Sequence, residues 1–131
     1  MIAALALALV GPAKPAGPPA LALTLCAPGP RDNCVVDGDT FWLAGEKIRI
    51  ADIDTPETDQ AKCPAERARG LEAKSRLREL LNAEPYQVRR TGTDRYGRTL
   101  AVITNPNGSI GDHLVREGLA RTWDGRRHPW C

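Results

Sequence analysis

The sequence predicts a mainly β domain with packed helices, an α+β fold in which five short strands form a small barrel. Three observations predict it. Tight turns and apolar–polar alternation recur between Asn33 and Ile53. One helical apolar stripe follows, at Ala73, Leu77, Leu80 and Leu81. Two more β-rich stretches come after it, Tyr86 to Arg90 and Thr99 to Thr104.

Each element has a local cause. Val35 and Val36 are β-branched, and Phe41, Trp42 and Leu43 follow a turn at Asp37-Gly38. Ala44-Gly45-Glu46 reads as a hairpin loop. Lys47-Ile48-Arg49-Ile50 alternates as a half-buried strand does, and Pro56 ends the pairing. Pro64 suits the first turn of a helix running to Asn82. Its stripe ends near Glu84, and Arg and Glu cover its other side, so it packs on a sheet and carries no chemistry. Thr91 to Arg98 is a polar, glycine-containing turn, and Asn105-Pro106-Asn107-Gly108 is another. Ser109 caps a short helix through Glu117, with Ile110, Leu114 and Val115 inward and Gly118 as the stop. Leu119 to Trp123 reads as a last strand. The OB-fold, a five-stranded Greek-key barrel, is one solution to this pattern. Periodicity alone does not separate it from other small α+β folds.

With 131 residues the chain suits one domain, and its 42% hydrophobic content supports a core without help from a metal. One Phe and two Tyr leave that core to aliphatic residues. A net charge of +2 does not argue for nucleic-acid binding, so any phosphate-binding charge must be local. Arg89, Arg90, Arg95 and Arg98 lie close in sequence, as do Arg121, Arg126 and Arg127; a solvated surface explains such clusters equally well.

Residues 1–25 form an N-terminal segment distinct from the domain at 26–131. Ile2 to Val10 is apolar, too short to span a bilayer as a helix, and of the length of a signal-peptide core, although a basic start is missing. A signal-like leader implies export, to the periplasm or medium; an anchor or a disordered segment are the other readings. Four cysteines, Cys26, Cys34, Cys63 and Cys131, allow three disulfide pairings. Four free thiols in a cytoplasmic protein are the other possibility. No CxxC spacing points to zinc, and the terminal Cys131 is placed to tie down a tail.

Three segments carry candidate chemistry: Asp37-Gly38-Asp39-Thr40, Arg49 through Asp54-Thr55-Pro56-Glu57, and Asp94-Arg95-Tyr96-Gly97-Arg98. Singly, each is explained by a turn or strand exit. Together they supply hard oxygen donors suited to Ca²⁺ or Mg²⁺ at Asp39 and Asp54, with Glu57 beside them. Arg49 and Arg98 are forked cations able to grip phosphate. Phosphodiester cleavage needs such a set: fixed positive charge for the pentavalent transition state and a carboxylate to activate water. Strict strand alternation sets Arg49 and Asp54 on opposite faces, so they share a site only where the strand bends, bulges or ends between them. Asp52 shares parity with Asp54, and either intrudes on the site or lies beneath it.

The order and spacing of these segments, from Val35 to Trp123, resemble the thermonuclease (staphylococcal nuclease-like) family. Val115-Arg116-Glu117-Gly118-Leu119-Ala120 is similar to the family's late helix and its exit. The resemblance implies an OB-fold and a Ca²⁺-dependent nuclease acting on single-stranded or frayed DNA and RNA, leaving 3′-phosphate ends. Mg²⁺ or Mn²⁺ is not separated from Ca²⁺ by sequence. By motif position, Asp39, Asp54 and the Thr55 carbonyl would be metal ligands, and Glu57 the general base. Arg49 and Arg98 would hold the phosphate, Arg95 and Tyr96 would contact the nucleotide, and Asp37 would stand nearby. The family's tyrosines after the late helix are not matched. Trp123 and Asp124 stand there instead, and Trp123 offers a stacking face.

The expected protein is a monomer with no membrane partner beyond a possible leader. The alternative is an OB-fold module that binds nucleic acid or protein without cutting. All charged groups assigned to chemistry lie between Asp37 and Arg98. His113 and His128 have no assigned role. His128→Ala is therefore expected to leave turnover nearly unchanged in a digestion assay, and a large loss would show that the tail reaches the site.

Overall fold

β-Branched and aromatic residues form a mixed sheet that wraps around the stripe of one long helix. In a computed structural model, residues 22–131 are described, and the Ile2–Val10 run lies outside them. The strands are β1 (Thr24–Leu25), β2 (Cys34–Asp37), β3 (Thr40–Leu43), β4 (Glu46–Ile50), β5 (Ile53–Asp54), β6 (Gln87–Thr93), β7 (Thr99–Asn105), β8 (Gly108–Ser109) and β9 (Arg121–Thr122). The helices are α1 (Pro64–Ala83) and α2 (Ile110–Arg116). The main sheet runs β1-β2-β3-β4-β7-β6, with β8 on β7, and β5 pairs with β9 in a second sheet. The β2-β3-β4 meander, the parallel β4–β7 step and the β6–β7 hairpin match the α+β, OB-like architecture expected.

The β3–β4 hairpin turns at Ala44 and Gly45, both at positive φ (49° and 81°), as a two-residue turn between twisted strands requires. Alternation in β4 buries Ile48 and Ile50 and turns Lys47 and Arg49 outward. Ala73, Leu77, Leu80 and Leu81 pack into a core with Phe41, Ile53, Ile103 and Leu114. Ser109 caps α2, its Oγ accepting from the Asp112 amide at 3.1 Å, and Gly118 (φ +79°) follows the helix end.

Local patterning missed three details. β6 continues to Thr93 through a bulge between Arg90 and Gly92, because pairing with β7 outweighs the weak strand propensity of Gly92. The turn expected from Thr91 therefore contracts to Asp94–Arg98. The Asn105–Gly108 turn folds β8 back onto β7. At the front, Leu23 is only 2% exposed and exchanges hydrogen bonds with the Asn82 side chain at 2.9 and 3.0 Å. The folded unit thus takes in residues just ahead of Cys26.

Two disulfides close the chain, Cys26–Cys34 and Cys63–Cys131. They select one of the three pairings and suggest an oxidising, periplasmic or extracellular setting. No described helix is long and apolar enough to cross a membrane.

Helix α1 does more than fill the core. At Gly70 it touches the loop after β5 so closely that a Cβ would lie 2.2 Å from the Glu57 carbonyl oxygen. Gly70→Ala is expected to lower stability by about 1–3 kcal/mol, outweighing alanine's better helix propensity. Urea denaturation of the variant measures this, and an unchanged or raised midpoint would refute the close approach.

Candidate active site

The site begins with the end of β4. The strand stops at Ile50, Ala51-Asp52 turn, and β5 begins at Ile53 in the other sheet. This change of sheet removes the parity conflict. Arg49 Nη1 donates to the carbonyls of Ile50 and Ile53, the latter at 2.8 Å. Its Nη2 lies 3.6 Å from both Asp39 Oδ2 and Asp54 Oδ1. The same turn points Asp52 elsewhere: its carboxylate accepts from Ser109 Oγ at 2.8 Å and its carbonyl from the Trp123 amide at 2.9 Å. Asp52 ties α2 and β9 to the turn.

Asp39 and Asp54 are 5% and 4% exposed. Asp39 Oδ2 accepts from the Thr55 amide at 3.1 Å, and Oδ1 from Thr40 at 3.1 Å. Asp54 Oδ2 accepts from Trp130 Nε1 at 3.3 Å, while Asp54 Oδ1 is buried without a hydrogen-bond partner. Burial raises the Asp54 pKa; Arg127 opposes the shift and Asp39 adds to it. Asp54 Oδ1 thus has no hydrogen bond and only the Arg49 and Arg127 guanidinium nitrogens at 3.6 and 3.8 Å, and such an oxygen beside a second buried carboxylate fits a hard cation. Among the described residues no group of three or more His, Cys, Asp or Glu side chains comes together for a metal, so two carboxylates need carbonyl or water oxygens to complete a shell.

Glu57 is held from two sides. Its amide donates to Glu66 Oε2 at 3.0 Å, and the Lys62 amide donates to Glu66 Oε1 at 2.9 Å. Those backbone donors, Lys62 first, keep Glu66 below the usual carboxylate range although it is buried. Glu57 Oε2 itself accepts from Arg127 Nη2 at 2.8 Å.

The Asp94–Arg98 turn is built around Asp94, which accepts from the amides of Tyr96 and Arg98 at 2.9 Å and from Arg98 Nε at 2.7 Å. Burial opposes ionisation of Asp94, but these donors outweigh it and its pKa falls below the ordinary value. Tyr96 stands 68% exposed with Arg95 and Arg98 near its ring, 5.0 and 5.4 Å from the centroid. Trp123 lies against Arg49 at 5.9 Å.

Asp39, Arg49, Glu57, Arg95, Tyr96, Arg98 and Trp123 line one open cleft of about 1110 Å³, together with Asp37, Lys47 and Arg127. Asp54 and Thr55 sit behind that lining, Thr55 fully buried. The tail returns to the cleft through Arg127, which meets Glu57, and Trp130, which meets Asp54; both lie beyond the Asp37–Arg98 span that holds every charged group assigned to chemistry from sequence. His128 itself pairs with Asp124 at 2.8 Å. The sequence signals for this return were the basic Arg126-Arg127 pair and the terminal Cys131, but neither names a destination. Lys47 and Glu66 were also missed, since one looks like an outward strand residue and the other like a helix surface residue.

The family model described as "Staphylococcal nuclease homologue" matches residues 47–129. Among curated proteins, the chain is 38% identical over 99 residues to a micrococcal nuclease of Shigella flexneri, covering 66% of this chain and 53% of that one. It is 34% identical over 91 residues to an uncharacterized endonuclease of Haemophilus influenzae, covering 66% and 47%. It is 32% identical over 93 residues to a thermonuclease of Staphylococcus intermedius, covering 66% and 55%. The chain spans about half the length of these relatives.

Asp37 offers a pH test. Burial raises its pKa from 3.8 to about 6; the Thr58 hydroxyl, 2.6 Å away, opposes this, and Asp39 and Glu57 add to it. The folded state thus binds the proton more tightly than the unfolded chain. That stabilisation is complete below pH 3.8 and is lost as pH rises through about 6. Asp37→Asn should gain stability relative to the unsubstituted protein between pH 4 and 7 in chelator; a constant difference in denaturation midpoints across that range would contradict it.

Proposed function

The chain belongs to the staphylococcal nuclease family, and from that premise we propose that it is a metal-dependent nuclease hydrolysing phosphodiester bonds of DNA and RNA. The observation that supports this most is the meeting of opposite charges in one cleft: buried carboxylates, one oxygen of them without a hydrogen bond, and Arg49, Glu57 and Arg98 on its walls.

In this reading Asp39, Asp54 and the Thr55 carbonyl hold Ca²⁺, and Mg²⁺ or Mn²⁺ is the tested alternative. The ion, when bound, supplies positive charge to the phosphate oxygens and a site for water. The protein's own groups do the rest. Glu57 takes a proton from the attacking water, Arg49 and Arg98 hold the phosphate and stabilise charge gathering on its oxygens, and the P–O5′ bond breaks as the 5′-oxygen takes a proton from solvent, giving a 5′-hydroxyl and a 3′-phosphate end. Arg49 is tied to two backbone carbonyls, so its guanidinium is oriented before substrate arrives. Arg98 is oriented in the same sense by Asp94. Tyr96, Arg95 and Trp123 offer faces for the nucleotide on either side, suited to single-stranded or frayed substrate whose bases are free to stack. The protein works as a monomer exported by its N-terminal segment, in keeping with the two disulfides.

Digestion of single-stranded DNA by the purified protein should require Ca²⁺ and stop in chelator. Glu57→Gln and Arg98→Ala should each lower turnover by roughly 10²- to 10⁴-fold while the circular dichroism spectrum is retained. End analysis of the products should find 3′-phosphate. A folded protein that binds DNA but cuts with no divalent ion would be a binding module instead.

A further inference from the structure

We propose that Arg127 is a third arginine of this site, a positioning residue for Glu57 that the Cys63–Cys131 disulfide keeps in place. The inference rests on the nuclease reading for its kinetic consequence, but its geometric basis is independent of it.

Arg127 Nη2 donates to Glu57 Oε2 at 2.8 Å and lies 3.8 Å from Asp54 Oδ1. Arg49 and Arg98 make no such bond: Arg49 meets backbone carbonyls and the two aspartates, and Arg98 meets Asp94. Among the described residues, Arg127 is thus the cation that meets the glutamate's carboxylate. The Glu57 amide is fixed by Glu66, so main chain and side chain are held by different partners. An arginine on a loose tail would make a weak pair, because half-exposed ion pairs contribute little and must order two long side chains.

This tail is not loose. Arg121 Nη1 donates to the carbonyls of His128 and Pro129 at 3.3 and 2.9 Å, and its guanidinium lies 3.7 Å from the Trp130 ring centroid. Trp130 is buried, reaches Asp54, and has Arg69 of α1 at 5.2 Å from its ring. Cys131 is bonded to Cys63, immediately before α1. Residues 57–63 and 127–131 therefore form two short arms joined at one end by the disulfide and at the other by the Glu57–Arg127 pair. With the covalent end closed, the ionic end meets at high effective concentration, and its ordering cost is small.

Arg127→Ala should lower kcat on single-stranded DNA roughly 10- to 100-fold, the usual effect of losing a group that orients a reacting side chain, and leave KM near its original value. Arg127→Lys should restore part of the rate. In a Glu57→Gln background Arg127→Ala should add little, because it acts through the group already removed. An equal loss in both backgrounds, or a rise in KM at unchanged kcat, would make Arg127 a substrate contact and overturn the positioning role. Side-chain NMR relaxation in chelator, which needs no activity, should show a more mobile Glu57 side chain in Arg127→Ala. An equally ordered side chain there overturns the proposal even if the protein cuts DNA. A more mobile side chain in a protein that no divalent ion makes active would sink the nuclease reading and keep the positioning contact. Cys63→Ser/Cys131→Ser, folded by circular dichroism, should reproduce both effects of Arg127→Ala; full kcat in that variant would remove the disulfide from the proposal.

Discussion

Asp39 and Asp54 hold two carboxylates almost out of water, and Arg49 stands between them with one nitrogen 3.6 Å from each. Placing charges in such surroundings costs several kcal/mol per ion unless partners compensate. Compensation here comes from many parts of the chain: Thr55 and Thr40 for Asp39, Trp130 and Arg127 for Asp54, and Arg49 for both. It is incomplete, since one oxygen of Asp54 has no hydrogen bond. That oxygen has only the Arg49 and Arg127 guanidinium groups at 3.6 and 3.8 Å, and under the proposed function a bound metal ion would complete its surroundings.

The scaffold answers this demand with close backbone approach instead of bulk. Helix α1 meets the Glu57 loop at Gly70, where no side chain fits, and its buried Glu66 then bonds two amides of that loop. A helix whose stripe reads as ordinary core packing thus fixes the main chain of the residue proposed as base. The β4–β5 turn does the equivalent for Arg49 by moving the chain from one sheet to the other within two residues.

The two disulfides differ in reach. Cys26–Cys34 spans 8 residues and pins β1 beside β2; Cys63–Cys131 spans 68 and ties the end of the chain to the start of α1. In the chain-entropy account the first restricts the unfolded chain by about 2.5 kcal/mol and the second by about 4 kcal/mol. The longer bridge also has a positional consequence, because it sets the tail against the site. Trp130 and Arg121 complete that seating by stacking.

What the sequence by itself determined was local. The alternation of β4, the hairpin at Ala44-Gly45, the stripe of α1, the cap at Ser109 and the turn around Asp94 all depend on neighbours a few residues away, and their spacing exposes them. The three acidic and basic segments were legible for the same reason, and family resemblance gave their order meaning. Tertiary structure decided which faces meet. Strand parity separated Arg49 from Asp54, and only the change of sheet at Ala51-Asp52 reunites them. The cysteine pairing, the extension of β6 along β7 and the return of Arg127 to Glu57 were equally out of reach. These contacts join residues 68 and 70 positions apart in the case of the disulfide and the Arg127–Glu57 pair. Periodicity carries no information over such separations; closure of the whole chain around one core does.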